Sequence, residues 1–339
     1  MTIPNTFTNG TLANANEVNT NFNWSTNFDL HHWVSAAVYT GIIAHSASAW
    51  STVAEDGTMR YTADTGVTWA SPAGTHGLGT ETLLVPCEAA AARGFAVELN
   101  KGTGTADCAQ TINSGATWND DTNSPLTTAT YDCSFPTATL LVLAGDDTGG
   151  TDHIVYTANP DAGPIVWTNA TMDTANKIYC LDMYDGTTGY AVDSANNITK
   201  TTDGAVNWAD TGHNLVNSSN GRMSIKCISA TKCIIQVESK IELYDNASGS
   251  TNVLQVPASD ASRGIVYSNG NIYVLTHNYS ANAPDILSYS GDDGVTWSQR
   301  YLYWGNAVST INYKRALDTT ANDKLIFPLN NHIVQMDLS

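Results

Sequence analysis

Thr62-Ala63-Asp64-Thr65-Gly66-Val67-Thr68-Trp69 and Ser290-Gly291-Asp292-Asp293-Gly294-Val295-Thr296-Trp297 are the same eight-residue phrase, S/T-x-D-x-G-x-T-W, written twice in one chain. Thr111-Ile112-Asn113-Ser114-Gly115-Ala116-Thr117-Trp118 keeps it with Asn for Asp, and Thr201-Thr202-Asp203-Gly204-Ala205-Val206-Asn207-Trp208 loses the Gly at the fifth place. A stretched copy runs from Thr157 through Asn159 and Gly163 to Trp167, and a decayed one from Tyr244 through Gly249 to Leu254. The five tryptophans are separated by 49, 49, 41 and 89 residues, the last gap spanning two repeats. A fixed period of this length is the mark of an array of supersecondary units. Inside such a turn the Asp side chain accepts backbone N–H bonds, Gly permits positive φ and the Trp adds buried apolar surface. Asp64, Gly66, Trp69, Asn113, Gly115, Trp118, Trp167, Asp203, Trp208, Asp292, Gly294 and Trp297 therefore read as structural staples with no catalytic part.

A second period runs in phase with the first. Cys87, Cys133, Cys180 and Cys227 are spaced 46, 47 and 47 apart, each ending a short apolar run. Ala36 or Ala37, Gly264 and Ala316 take the equivalent places, so the column holds only small residues, with free Cys acting as a small apolar side chain. Seven repeats follow, starting near residues 34, 83, 128, 176, 223, 262 and 313, each divisible into three or four short strands. The octet resembles the Asp-box of sialidase-like (BNR-repeat) β-propellers. The expected fold is all-β, a single seven-bladed β-propeller over residues 23–339. The seventh repeat stops without an outer strand or Trp. The stretch 23–28, containing Trp24, can supply them, so the ring is expected to be closed by an N-terminal strand with Trp24 beside the strand His332–Asp337.

Residues 7–22 carry a different signal. They follow F-x-N-G-T-x-A-x-A-x-x-V-N-x-N-F, and the segment resembles one near the N-termini of bacteriophage tail-fibre and other virion appendage proteins, where Asp is common in place of Asn14 and Asn16. Asn9-Gly10 reads as a turn and Thr11 as a helix cap. Leu12, Ala15, Val18 and Phe22 then form one apolar stripe. So short a helix needs a partner. Residues 1–22 are thus expected to be a short helical arm whose Leu12, Val18 and Phe22 pack either on the ring's own flank or on another virion subunit, with an oligomer among the options. The resemblance implies a non-enzymatic structural protein, a fibre or decoration protein of a phage-like virus. It would be assembled in the host cytoplasm and exposed outside the cell, and a host-surface glycan or receptor would be a natural partner.

Composition narrows the alternatives. Lys and Arg number 14 against 32 Asp and Glu, a net charge of -18, so broad-surface binding of DNA or RNA is disfavoured by repulsion. Only 14% of residues are charged, against about 25% in ordinary domains, and no apolar run is long enough to insert into a membrane. A sialidase-like hydrolase would need an arginine cluster with a carboxylate pair. Arg263 and Arg315 can offer two arginines, and Glu238 and Glu242 lie on one repeat, but no Arg accompanies Ile3-Pro4 as the family pattern asks. The Cys-x5-Cys pair and the octets also resemble bacterial photosystem-assembly propellers, which rely on a basic patch that this acidic chain is poorly equipped to form.

Cys227 and Cys233 fit a strand, turn and strand, and can face one another as a cross-strand disulfide. No His/Cys spacing suits zinc, and no cofactor is expected. The Asp-rich turn 145–152 offers oxygens to Ca²⁺, although a solvated loop is the preferred reading. Tyr301-Leu302-Tyr303-Trp304 can stack on sugars or belong to the core.

Overall fold

The structure is a computed structural model, which describes residues 28–31, 37–74, 77–79, 82–99, 107–121, 126, 129–146, 152–160, 165–217, 223–256, 261–277, 285–302, 317–319, 324–329 and 332–337. These residues form seven sheets, antiparallel except where Thr171–Met172 runs parallel to Asn207–Asn214, and no helix occurs among them. The chain is an all-β, seven-bladed propeller. Its innermost strands are Tyr39–Ala44, Thr82–Pro86, Ala129–Thr137, Ile178–Met183, Met223–Ser229, Ala261–Ser268 and Asp318–Thr319, each followed outward by the next strands of its blade. These starts lie within a few residues of those read from the repeat.

Blade 7 is completed from the other end of the chain. Phe28–His31 pairs antiparallel with His332–Asp337, Phe28 opposite Met336 and His31 opposite Ile333. The C-terminal partner is the expected one, and Phe28–His31 is the described part of the closing strand. Trp24 lies outside the described residues, as do Leu12, Val18 and Phe22 of the arm.

The second strands of the blades, such as Trp50–Ala54, Gly94–Glu98, Leu140–Asp146 and Gly189–Asp193, are buried on both faces, whereas the outer strands are largely exposed. The core is correspondingly divided into packets. Cys87, Phe95, Cys108, Cys133 and Leu143 fill one, Cys180, Tyr190, Cys227, Cys233 and Tyr244 another. The small-residue column thus sits in tightly filled space, with Cys133, Cys180 and Cys227 at most 3% exposed.

Three of the inner strands carry carboxylates that bind the next blade around the ring. Asp132 Oδ2 accepts Leu181 N (3.1 Å), Asp182 Oδ2 accepts Cys227 N (2.9 Å) and Asp318 Oδ2 accepts Ala44 N (2.8 Å). Ser134 Oγ adds a bond from Met183 N at 3.1 Å. An inner strand is the inward edge of its sheet, and these side chains satisfy backbone donors that its own sheet leaves unpaired.

Candidate functional site

The octet hairpins share one geometry. In blade 1 the Thr62 hydroxyl accepts Gly66 N (3.1 Å) and donates to Asp64 Oδ1 (2.7 Å). Asp64 in turn accepts Thr68 N (2.9 Å) and the Thr68 hydroxyl (2.6 Å), and Trp69 Nε1 donates to Gly66 O (3.0 Å). Ser290, Asp292, Gly294, Thr296 and Trp297 repeat the pattern. Thr111, Asn113, Gly115 and Thr117 repeat its Thr and Asn bonds. Hydrogen bonds from Thr68 hold Asp64 down at about 2, and bonds from Asn207 and Thr296 lower Asp203 and Asp292 likewise.

Positions four and five of the octet both have positive φ: Thr65 and Gly66, Ser114 and Gly115, Gly204 and Ala205, Asp293 and Gly294. This explains the aberrant copy, in which Gly has moved to the fourth place and Ala205, at φ 70°, takes the fifth. Trp118 and Trp208 are fully buried, while Trp69, Trp167 and Trp297 are half-buried. Trp167 meets Phe95 of blade 2 with ring centroids 6.3 Å apart. In blade 5 the decayed copy is a plain hairpin from Asp245 to Gly249.

The octets have a second task that the sequence did not announce. The segment leaving blade 1 bonds to the blade 2 octet, Ala73 N to Ala116 O and Trp118 N to Ala73 O, both 2.9 Å. The segment leaving blade 3 bonds to the blade 4 octet, Thr171 N to Val206 O (2.8 Å) and Asp173 N to Trp208 O (3.1 Å). Each of these hairpins therefore receives the chain arriving from the preceding blade.

The hairpins also touch the loops that follow the inner strands, through Thr65 N to Ser48 O, Ser114 N to Ala92 O and Gly204 N to Thr187 O. Both sets of turns therefore occupy one face of the ring. On that face lies a cavity of about 530 Å³ at the axis, lined from six of the blades. Its walls combine apolar side chains with Glu88, Tyr184, Lys226, Tyr267 and Asp318. Lys226 of blade 5 reaches Glu88 of blade 2 across the axis and pairs with Asp182 Oδ2 at 3.2 Å. Asp182 is completely buried, so the Lys226 charge compensates a carboxylate that would otherwise be costly to bury.

Asp318, packed at the wall, is pushed up to about 6 by burial, which outweighs the bonds from Ala44 N and Thr319 N. Burial lowers His45 to about 4, so its ring is neutral at physiological pH. Its Nδ1 faces Ala91 O at 2.9 Å and must donate, which leaves Nε2 to accept from the Ser51 hydroxyl at 3.0 Å. This has the outline of a nucleophile and base, but Ser51 is fully buried beneath Gly115, where an added Cβ would lie 1.9 Å from its Oγ. The pair fastens blade 1 to blade 2.

The residues considered for a hydrolase are scattered. Glu242 is fully buried and accepts Val216 N, Asn217 N and the Ser250 hydroxyl. Glu238 occupies a turn at φ 52°. Arg263, 1% exposed, faces Asp285 (3.7 Å) and His277 (3.2 Å) inside blade 6, and Arg315 lies outside the described residues. Tyr301 is exposed and Leu302 buried, while Tyr303 and Trp304 lie outside the described residues.

Cys227 and Cys233 are directly opposed in register as free thiols, Sγ to Sγ 3.0 Å. Of the Asp-rich turn, Asp146 accepts from the Tyr131 hydroxyl and pairs with Lys177 at 3.5 Å, while residues 147–151 lie outside the described residues. Among the described residues no group of three or more His, Cys, Asp or Glu is placed to hold a metal ion.

The sequence matches no protein-family model and none of the curated proteins. Its fold is similar to many solved structures. "YCF48 bound to D1 peptide" is 14% identical with a TM-score of 0.63, covering 92% of this chain and 97% of that one. A streptogramin B lyase is 10% identical with a TM-score of 0.64, covering 93% and 99%. The GH74 xyloglucanase of Xanthomonas campestris is 13% identical with a TM-score of 0.56, covering 90% of this chain and 43% of that one. At these identities the likeness is one of fold, and the fold hosts both enzymes and binding proteins.

Proposed function

We propose that this chain is a non-enzymatic binding propeller, displayed as a fibre or decoration protein on a phage-like virion, and that its axial face meets a host-surface receptor. The observation that carries the non-enzymatic reading is the employment of the ionisable groups in the cavity wall and of the buried Asp182 bonded to Lys226. Asp182 holds Cys227 N and Lys226, Asp318 holds Ala44 N, Glu88 holds Lys226, and His45 is fixed between Ala91 and Ser51. Groups that join blades are poorly suited to exchange protons with a substrate, since each transfer would disturb the ring. The virion placement is supported by the appendage-like segment 7–22 and by the polar, Lys-poor composition, which offers few tryptic sites.

Cryo-EM or immunogold localisation on purified particles tests the placement. Density on a tail, fibre or capsid surface is expected, and absence from every particle would overturn it. A second reading, a glycan hydrolase, is favoured by Asp318 alone, a carboxyl near 6 in a cavity and so suited to general-acid work. Hydrolysis of a glycan panel that disappears in Asp318→Asn would establish that reading in place of the first.

A further inference from the structure

We propose that the axial cavity is a saccharide site, selective for neutral oligosaccharides of two or three units over sialylated, sulfated or phosphorylated ones. The inference rests on the binding reading above and gives it a ligand class and a location.

Three properties of the cavity point the same way. Its volume of about 530 Å³ falls within the span of small-molecule pockets, roughly 300–1,000 Å³, and exceeds what one sugar ring fills. Its walls mix flat aromatic surface with short polar groups. Tyr184 is 42% exposed on the loop after the inner strand of blade 4, and Tyr267 stands on the inner strand of blade 6. Ser46, Ser268 and Thr319 add hydroxyls between them. A sugar has an apolar face of C–H groups that packs on a tyrosine ring and an edge of hydroxyls that needs donors and acceptors.

Charge supplies the selectivity. On the wall Lys226 is matched by Glu88, Asp318 adds a further carboxylate, and His45 is neutral, while the buried Asp182 also pairs with Lys226. The wall is therefore net negative within a chain of net charge -18. An anionic ligand would meet repulsion both at the site and on approach. A neutral saccharide meets none, and carboxylates are strong acceptors for its hydroxyls.

The test uses the full-length chain on immobilised neutral trisaccharides built from glucose, galactose, mannose, rhamnose and N-acetylglucosamine, beside sialylated and sulfated counterparts, with calorimetry on the strongest ligand. The expected result is binding confined to neutral members, weakened about tenfold by Tyr184→Ala and unchanged by Tyr301→Ala, an equally exposed tyrosine outside the cavity. Preference for acidic glycans, sensitivity at Tyr301 instead of Tyr184, or a blank panel at millimolar ligand would each overturn the proposal. The virion reading fails separately. A chain absent from particles that still binds neutral glycans through Tyr184 would remove that reading and leave this one, whereas a virion protein with a blank panel would do the reverse.

Discussion

Asp318 Oδ2 accepts the backbone N–H of Ala44 at 2.8 Å, and this bond joins the inner strand of the last blade to the inner strand of the first. Its acceptor is a carboxyl that burial raises to about 6. A group whose folded pKa lies above its unfolded value of 3.8 contributes stability that is complete below pH 3.8 and is lost as pH rises through about 6. Asp318→Asn keeps an oxygen for Ala44 N and removes the titration. Urea unfolding of both proteins from pH 4 to 7 is expected to show the variant gaining on the parent by up to about 3 kcal/mol across that window. Parallel stability curves would contradict the assignment.

The fifth octet position tests backbone conformation separately from packing. Gly115 has φ 84°, and a Cβ there would meet Ser51 Oγ and His45 Nε2. Gly115→Ala is expected to destabilise the ring by about 2–4 kcal/mol in guanidinium unfolding. The equivalent exchange in blade 4, Ala205→Gly, relieves a left-handed alanine while giving up one buried methyl, so its effect should be much smaller. Equal effects at the two sites would refute this account.

Truncation tests the closure. Deleting residues 1–31 removes the partner of His332–Asp337 and leaves that strand as an open edge. The melting temperature is expected to fall, with light scattering that grows with concentration as exposed edges associate. A truncated chain that melts like the intact one and stays monodisperse would show that blade 7 stands without its fourth strand.

The thiol pair tests chemistry. Burial raises both Cys227 and Cys233, which keeps them protonated and slow to react in the closed ring. Mild oxidation, with and without moderate denaturant, is expected to yield a protein lighter by two hydrogens, faster when the hairpin is loosened. Peptide mapping should place the bond at Cys227 and Cys233, with Cys87, Cys108, Cys133 and Cys180 still alkylatable after unfolding. Oxidation at any other pair would exclude the cross-strand bond.

The octets were legible because their chemistry is local. Thr62 bonds to Asp64 and Gly66, and Asp64 to Thr68, all within four residues. The blade count followed from the tryptophan and cysteine periods, and the closing partner of blade 7 from its missing outer strand. The axial cavity was not legible. Glu88 and Lys226 stand 138 residues apart, and the groups that meet at the axis keep no constant offset from the cysteine column. Lys226 precedes its cysteine by one, whereas Glu88 follows Cys87 by one and Tyr184 follows Cys180 by four. No periodic pattern marks such a set, because only ring closure brings its members together. The docking of Ala73 and Thr171 onto the following octets was hidden for a related reason, since backbone bonds place little demand on residue type.

The pairing of Phe28 with Met336 also sets a timetable. A ribosome adding about 5–20 residues per second needs roughly 15–60 s to travel between them. Throughout that interval the first strand has been made and its partner has not. Blades 1 to 6 can assemble in order as they emerge, but the ring stays a horseshoe until the strand His332–Asp337 is released. During synthesis the early strand must be kept from pairing elsewhere, and any nascent chain stalled before the final hairpin leaves both ends of the horseshoe exposed to other copies on the same polysome.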